Sequence, residues 1–128
     1  MLLVFTSREK FLHLLPKGGV VAEIGTFRGE FSQAILDNAA PEHLHLIDLW
    51  DYQEKENYQA DKSNVSKEEH GKNFDHVRQR FKKEIAAGRV VLHRKMSVDA
   101  APDFEDQSLD WIYVDGDHSY DAVLSDLE

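Results

Sequence analysis

The residue pattern makes this chain an α/β protein built on a parallel sheet. Four short apolar runs, at residues 20–24, 43–48, 89–93 and 109–115, alternate with stretches whose apolar residues recur at helical spacing. The run Val20-Val21-Ala22-Glu23-Ile24 is apolar on both faces except for Glu23, which suits a strand covered on both sides. The 128 residues fit one domain with one hydrophobic core.

Each element has its own signal. Thr6-Ser7-Arg8-Glu9 is a capping box, and Phe11, Leu12, Leu14 and Leu15 give the apolar side of a short helix that Pro16 stops. Lys17-Gly18-Gly19 turns the chain into the first strand. Gly25-Thr26-Phe27-Arg28-Gly29 is a loop, and Phe31, Ala34, Ile35 and Leu36 mark a helix ending near Asn38, before Pro41. His43 to Asp48 is the second strand, so the first half predicts a right-handed βαβ unit. Residues 49–65 are a polar excursion from the carboxyl end of that strand, with Trp50, Tyr52 and Tyr58 scattered through it. A second capping box, Ser66-Lys67-Glu68-Glu69, opens a helix whose one face is Phe74, Val77, Phe81 and Ile85 and which ends at Gly88. The third strand follows at 89–93, and Val98 to Phe104 form a short helix broken or started at Pro102. Leu109 to Asp115 hold the fourth strand, and residues 121–128 open a further helix. There is no internal repeat.

Composition excludes several classes. Hydrophobic residues at 41% and charged residues at 30% rule out collagen-like, mucin-like and wholly disordered chains. The absence of Cys removes disulfide frameworks, thiolate zinc sites and cysteine nucleophiles. No apolar run approaches the ~20 residues of a membrane span, and Arg8 interrupts the opening apolar stretch. The expectation is a cytoplasmic protein. The net charge of −9 is lopsided: residues 96–128 hold ten of the 24 acids and none of the 15 Lys and Arg. Such a negative surface disfavours nucleic acid as a partner. It reads either as a solvated acidic face or as a carboxylate cluster suited to a cation.

Ligands of open α/β sheets bind beyond the carboxyl ends of the strands. Three features fall at that edge: the glycine loop at 25–29, Asp48, and Asp115-Gly116-Asp117-His118. Glycine lets the chain bend sharply and lets a ligand approach the backbone. The loop lacks the Gly-Lys-Ser/Thr of a phosphate-binding P-loop, and Phe27 stands where a dinucleotide fingerprint has its middle glycine. Asp48, 23 residues beyond Gly25, is placed to accept hydrogen bonds from ribose hydroxyls or simply to end a strand in a turn. Asp115, Asp117 and His118 suit a hard cation and a general base; alternatively Asp117 or Ser119 caps the next helix and His118 is merely exposed. His43 and His45 share a strand face, with a structural role favoured over a metal site. Arg78-Gln79-Arg80 with Lys82-Lys83 reads as a solvated basic face diluted by Glu84.

Together these residues resemble a known family. Residues 21–32, from Val21-Ala22-Glu23-Ile24-Gly25-Thr26 to Phe31-Ser32, resemble the first motif of class I S-adenosylmethionine-dependent methyltransferases. Leu46-Ile47-Asp48-Leu49-Trp50 resembles the second motif. Residues 110–120, with Asp115-Gly116-Asp117-His118-Ser119-Tyr120, resemble the fourth-strand motif of a branch that includes macrocin-type sugar O-methyltransferases and many bacterial proteins. The resemblance implies a Rossmann-like sheet with helices on both faces and strand order 3-2-1-4. It implies S-adenosylmethionine as cofactor, with Glu23, Gly25, Thr26 and Gly29 at its methionine end and Asp48 on the ribose. Leu49 or Trp50 would lie beside the adenosine, and Met96 and Ser97 would flank adenine. Asp115 matches an acid that borders the cofactor and, in metal-dependent relatives, binds Mg²⁺; His118 is a base candidate. The implied activity is methyl transfer to an oxygen of a small molecule or sugar.

The family's sheet has seven strands, and four are read here. The reading is therefore of a single domain over residues 1–128 whose C-terminal strands are missing, with a second copy of the chain covering the fourth-strand edge. The alternative is a non-catalytic Rossmann-like module that binds a nucleoside or serves assembly.

Overall fold

The computed structural model describes residues 12–51, 67–105 and 107–114. Among them four strands form one parallel sheet: β1 (Val20–Ile24), β2 (His43–Asp48), β3 (Val90–Arg94) and β4 (Trp111–Val114), in the order β3-β2-β1-β4. The expected 3-2-1-4 order is therefore present. The register sets Ile24 beside Ile47 and Val114, and Asp48 beside Arg94, so the carboxyl ends of all four strands lie along one edge.

Alternation along the strands divides the core in two. Val21, Leu44, Leu46, Val90, Leu92, Trp111 and Tyr113 face one side, where α1 (Glu30–Ala39) and α2 (Lys67–Arg80) cover them with Phe31, Ile35, Leu36 and Val77. Ala22, Ile24, Ile47 and Val114 face the other, against Ala100 and Phe104. Ala100 ends the short helix α4 (Ser97–Ala100), which follows α3 (Lys82–Ala86) in the chain. Burying both faces removes apolar surface worth roughly 25 cal/mol per Å² from water, and this is what holds a four-stranded sheet together.

The third strand lies one residue later than the expected 89–93, and three other boundaries differ further from the sequence expectation. The helix expected to run unbroken to Gly88 divides at Phe81, which leaves the helical region (φ −108°, ψ 24°). The hydrogen bonds Phe81 N–H to the Val77 carbonyl (3.1 Å) and Ile85 N–H to the Phe81 carbonyl (2.8 Å) carry the chain across the break. The expected helix of residues 98–104 is α4 followed by a 3₁₀ turn, Ala101–Asp103, that contains Pro102. The fourth strand starts two residues later than expected. Asp110 clamps its base instead: its carboxylate accepts the Val20 N–H (2.7 Å), and its own N–H donates to the Val20 carbonyl (2.8 Å).

Leu12 is fully buried in the first core, while the capping box at 6–9 and the helix expected at 121–128 lie outside the described residues. No helix among the described residues is long and apolar enough to cross a membrane.

Candidate functional site

The glycine loop leaves β1 at the carboxyl edge. Gly25 (φ 91°) and Gly29 (φ 82°) both occupy the left-handed region, where a side chain would be strained. Gly29 precedes α1, and a Cβ there would come within 2.8 Å of Cε2 of Phe81. Glycine is thus required twice over, by dihedral angle and by packing. The Gly25 N–H donates to the Ile47 carbonyl (2.8 Å), tying the loop to the end of β2.

Asp48 ends β2 directly beneath this loop. One carboxylate oxygen, Oδ2, accepts the Phe27 N–H (2.8 Å); the other, Oδ1, accepts the Trp50 N–H (2.9 Å). Phe27 (φ 56°) and Trp50 (φ 48°) are both left-handed, a conformation that costs a non-glycine residue about 1–3 kcal/mol and persists where surrounding bonds enforce it. The Trp50 indole N–H closes the link by donating to the Phe27 carbonyl (2.7 Å). Burial pushes the Asp48 carboxyl above its usual range; the N–H groups of Trp50 and Phe27, and the His70 charge, act against that rise. Each carboxylate oxygen has a further lone pair, so Asp48 can accept more donors.

Aromatic and cationic groups support the far side of the loop. The Trp50 ring packs on Phe74 of α2 at 5.0 Å between centroids. Arg94, the register partner of Asp48, donates to the Trp50 carbonyl (3.2 Å) and lies over the Phe74 ring at 4.5 Å. Two polar groups at this edge stand out. Thr26 Oγ1 is buried with no hydrogen-bond partner, and so are both ring nitrogens of His70.

The structure thus brings Gly25, Thr26, Gly29, Asp48 and Leu49 to one edge. Glu23 lies below them, 1% exposed, with its carboxylate accepting the Ser32 hydroxyl of α1. Met96 precedes α4 and Ser97 opens it, just past the end of β3, and both are half-buried. Of the two residues expected beside an adenosine, Leu49 keeps exposed surface, whereas Trp50 is 1% exposed and belongs to the core. Asp115, Asp117 and His118 lie outside the described residues. Among the described residues no group of three His, Cys, Asp or Glu could hold a metal ion.

His70, Phe74 and Arg94 were not legible as site residues in the sequence. His70 did leave a signal: with Asn73 and Val77 it forms the buried stripe of α2. A polar residue opening such a stripe has to find a partner.

His43 and His45 sit apart from this edge, within the sheet. His45 Nδ1 is 2.9 Å from His93 Nε2, and its ring meets Phe104 edge-on at 4.8 Å. Arg78, Arg80, Lys82 and Lys83 are exposed, as expected of a solvated face.

A family model described as a methyltransferase domain matches residues 22–128. No curated protein matches the chain.

Proposed function

The chain belongs to the methyltransferase domain family, and from that premise we propose that it binds S-adenosylmethionine and methylates an oxygen of a small molecule or sugar. The observation that carries this reading is the locked pair of glycine loop and Asp48, joined by the Phe27 N–H to Asp48 bond at the carboxyl edge. A loop with two left-handed glycines gives a ligand access to the backbone, and the orphaned Thr26 hydroxyl inside it calls for a partner. These residues fit the amino-acid end of the cofactor, and Asp48 fits the ribose. Leu49, Met96 and Ser97 are assigned to the adenosine.

S-adenosylmethionine, when bound, supplies an electrophilic methyl group on a cationic sulfonium. The chain's part is to orient that methyl toward the acceptor oxygen and to exclude water. Holding the two in line converts a bimolecular displacement into an effectively unimolecular one. The proton of the acceptor hydroxyl needs a base near neutral pH; we assign His118 to that role and Asp115 to the acceptor side of the cofactor. The acids concentrated in residues 96–128 favour the cationic sulfonium over the neutral thioether product.

The test is thermal denaturation with S-adenosylhomocysteine. A ligand at 100 times its dissociation constant stabilises by about 2.7 kcal/mol, which raises Tm by several degrees for a chain of this size. We expect that rise with S-adenosylhomocysteine and none with NAD. No rise with S-adenosylhomocysteine overturns the reading. Radiolabelled methyl transfer to a panel of hydroxylated small molecules and sugars then identifies the acceptor, and binding without transfer to any of them points to the non-catalytic alternative.

A further inference from the structure

We propose that His70 is a ligand-contacting residue of the nucleoside site, whose ring N–H donates to a ribose hydroxyl that Asp48 also holds. The inference rests on the S-adenosylmethionine reading above and names one more residue of that site.

His70 is 6% exposed, and neither ring nitrogen has a hydrogen-bond partner. A buried polar group without a partner costs about 1–3 kcal/mol, so such groups are rarely left unpaired without a reason. Its helix, α2, packs at the carboxyl edge: Phe74, one turn on from His70, contacts both Trp50 and Arg94. Arg94 is the register partner of Asp48, so α2, which bears His70, lies against the residues that flank the carboxylate assigned to the ribose, on an element other than the loop.

The hydrogen-bond inventory supports a shared hydroxyl. Asp48 already accepts one N–H on each oxygen, so further partners of this carboxylate must be donors. A ribose hydroxyl gives its proton to a carboxylate and keeps lone pairs free. Those lone pairs accept the N–H of an imidazole. One hydroxyl thus pairs with Asp48 and with one ring nitrogen of His70, whereas a wholly apolar ligand group pairs with neither.

The experiment compares wild type, His70→Phe and His70→Gln by calorimetric titration with S-adenosylhomocysteine and with its 2′,3′-dideoxy analogue. Each ligand-free Tm is also measured. Phe keeps the ring volume and removes an unpartnered buried polar group, so the ligand-free Tm of His70→Phe should be unchanged or higher. Its affinity for S-adenosylhomocysteine should fall about tenfold, the scale of one hydrogen bond. His70→Gln, which retains an N–H donor, should recover part of that loss. With the dideoxy analogue, wild type and His70→Phe should bind alike. Equal affinity of wild type and His70→Phe for S-adenosylhomocysteine overturns the inference. A loss that persists undiminished with the dideoxy analogue overturns the assignment to the ribose. If His70→Phe fails to fold, His70→Leu, which also lacks a donor, takes its place in both comparisons. Failure of wild type to bind S-adenosylhomocysteine overturns the underlying functional reading, a result distinct from either of the others.

Discussion

The carboxylate of Asp48 accepts N–H groups from Phe27 and Trp50 while burial holds its proton above the usual carboxylate range. The sign of that shift matters. The folded chain binds this proton more tightly than the unfolded chain, so the group favours folding at low pH. It costs stability as pH rises through its folded pKa. The same carboxyl group holds the N–H groups of two strained residues in place. Asp48→Ala should orphan both N–H groups and destabilise by about 2–4 kcal/mol. Asp48→Asn removes the charge and keeps one acceptor, and should change stability by no more than about 1 kcal/mol. Both should lose the Tm rise with S-adenosylhomocysteine. Urea unfolding separates the two effects, and equal stability of the Ala and Asn variants would sink the structural role. Asp48 was readable in the sequence from its place at the end of a β-rich run. Its two N–H partners were not, because Phe27 lies 21 residues away and both donors depend on left-handed backbone that no propensity signals.

The elements that carry the site were legible to different degrees. β1, α1 and β2 fall where apolar periodicity and Pro41 place them, since local pattern and tertiary contact agree there. The break at Phe81 was hidden because Phe74, Val77, Phe81 and Ile85 keep a spacing of three or four across it. Tertiary packing supplies the reason for an aromatic at that point: Phe81 is fully buried and fills the space above Gly29. This contact couples α1 to the helix pair α2–α3. Gly29→Ala should therefore cost more than a helix-propensity change. Left-handed strain of about 1–3 kcal/mol adds to a contact with the Phe81 ring that has to give way. The expected outcome is a stability loss of at least about 2 kcal/mol by urea unfolding. Gly71→Ala in α2, where a Cβ meets nothing within 4 Å, is the control and should be neutral or stabilising. A Gly29→Ala variant as stable as wild type would show that the loop adjusts freely, and the proposed rigid cradle would fall with it.

Across the whole sheet the two faces differ in kind, and that difference sets the pH response. The α1–α2 face sets Glu23 with Ser32, and His70 with Asn73, among apolar side chains, whereas the other face carries His45 and His93 in mutual contact. Composition showed seven histidines and a strand placement for His43 and His45, but the pairing joins residues 48 apart and follows only from the β2–β3 register. Burial lowers the His45 pKa from 6.5 to about 4, with the charges of His93 and His43 adding to the effect. Burial lowers His93 as well; Asp103, 3.8 Å away, works against the fall, and Lys95, bonded to Asp103 at 2.7 Å, assists it. For groups lowered in this way the unfolded chain binds protons first. Their contribution is fully present above about pH 6.5 and is lost as pH falls toward the folded values. Because the rings are only half-buried, solvent screening leaves His45 a penalty on the order of 1 kcal/mol. His45→Gln removes the titration while retaining a hydrogen-bonding group beside His93. Measured by urea unfolding at pH 7.5 and at pH 4.5, wild type should lose stability relative to His45→Gln by that amount. Carboxylates elsewhere in this acidic chain titrate in both proteins and cancel in the difference. A gap between the two that stays constant with pH would mean that the histidine pair accepts a proton in the folded sheet without cost. In that case the contacts among the His45, His93 and Phe104 rings, and not the burial of neutral imidazoles, hold this face together.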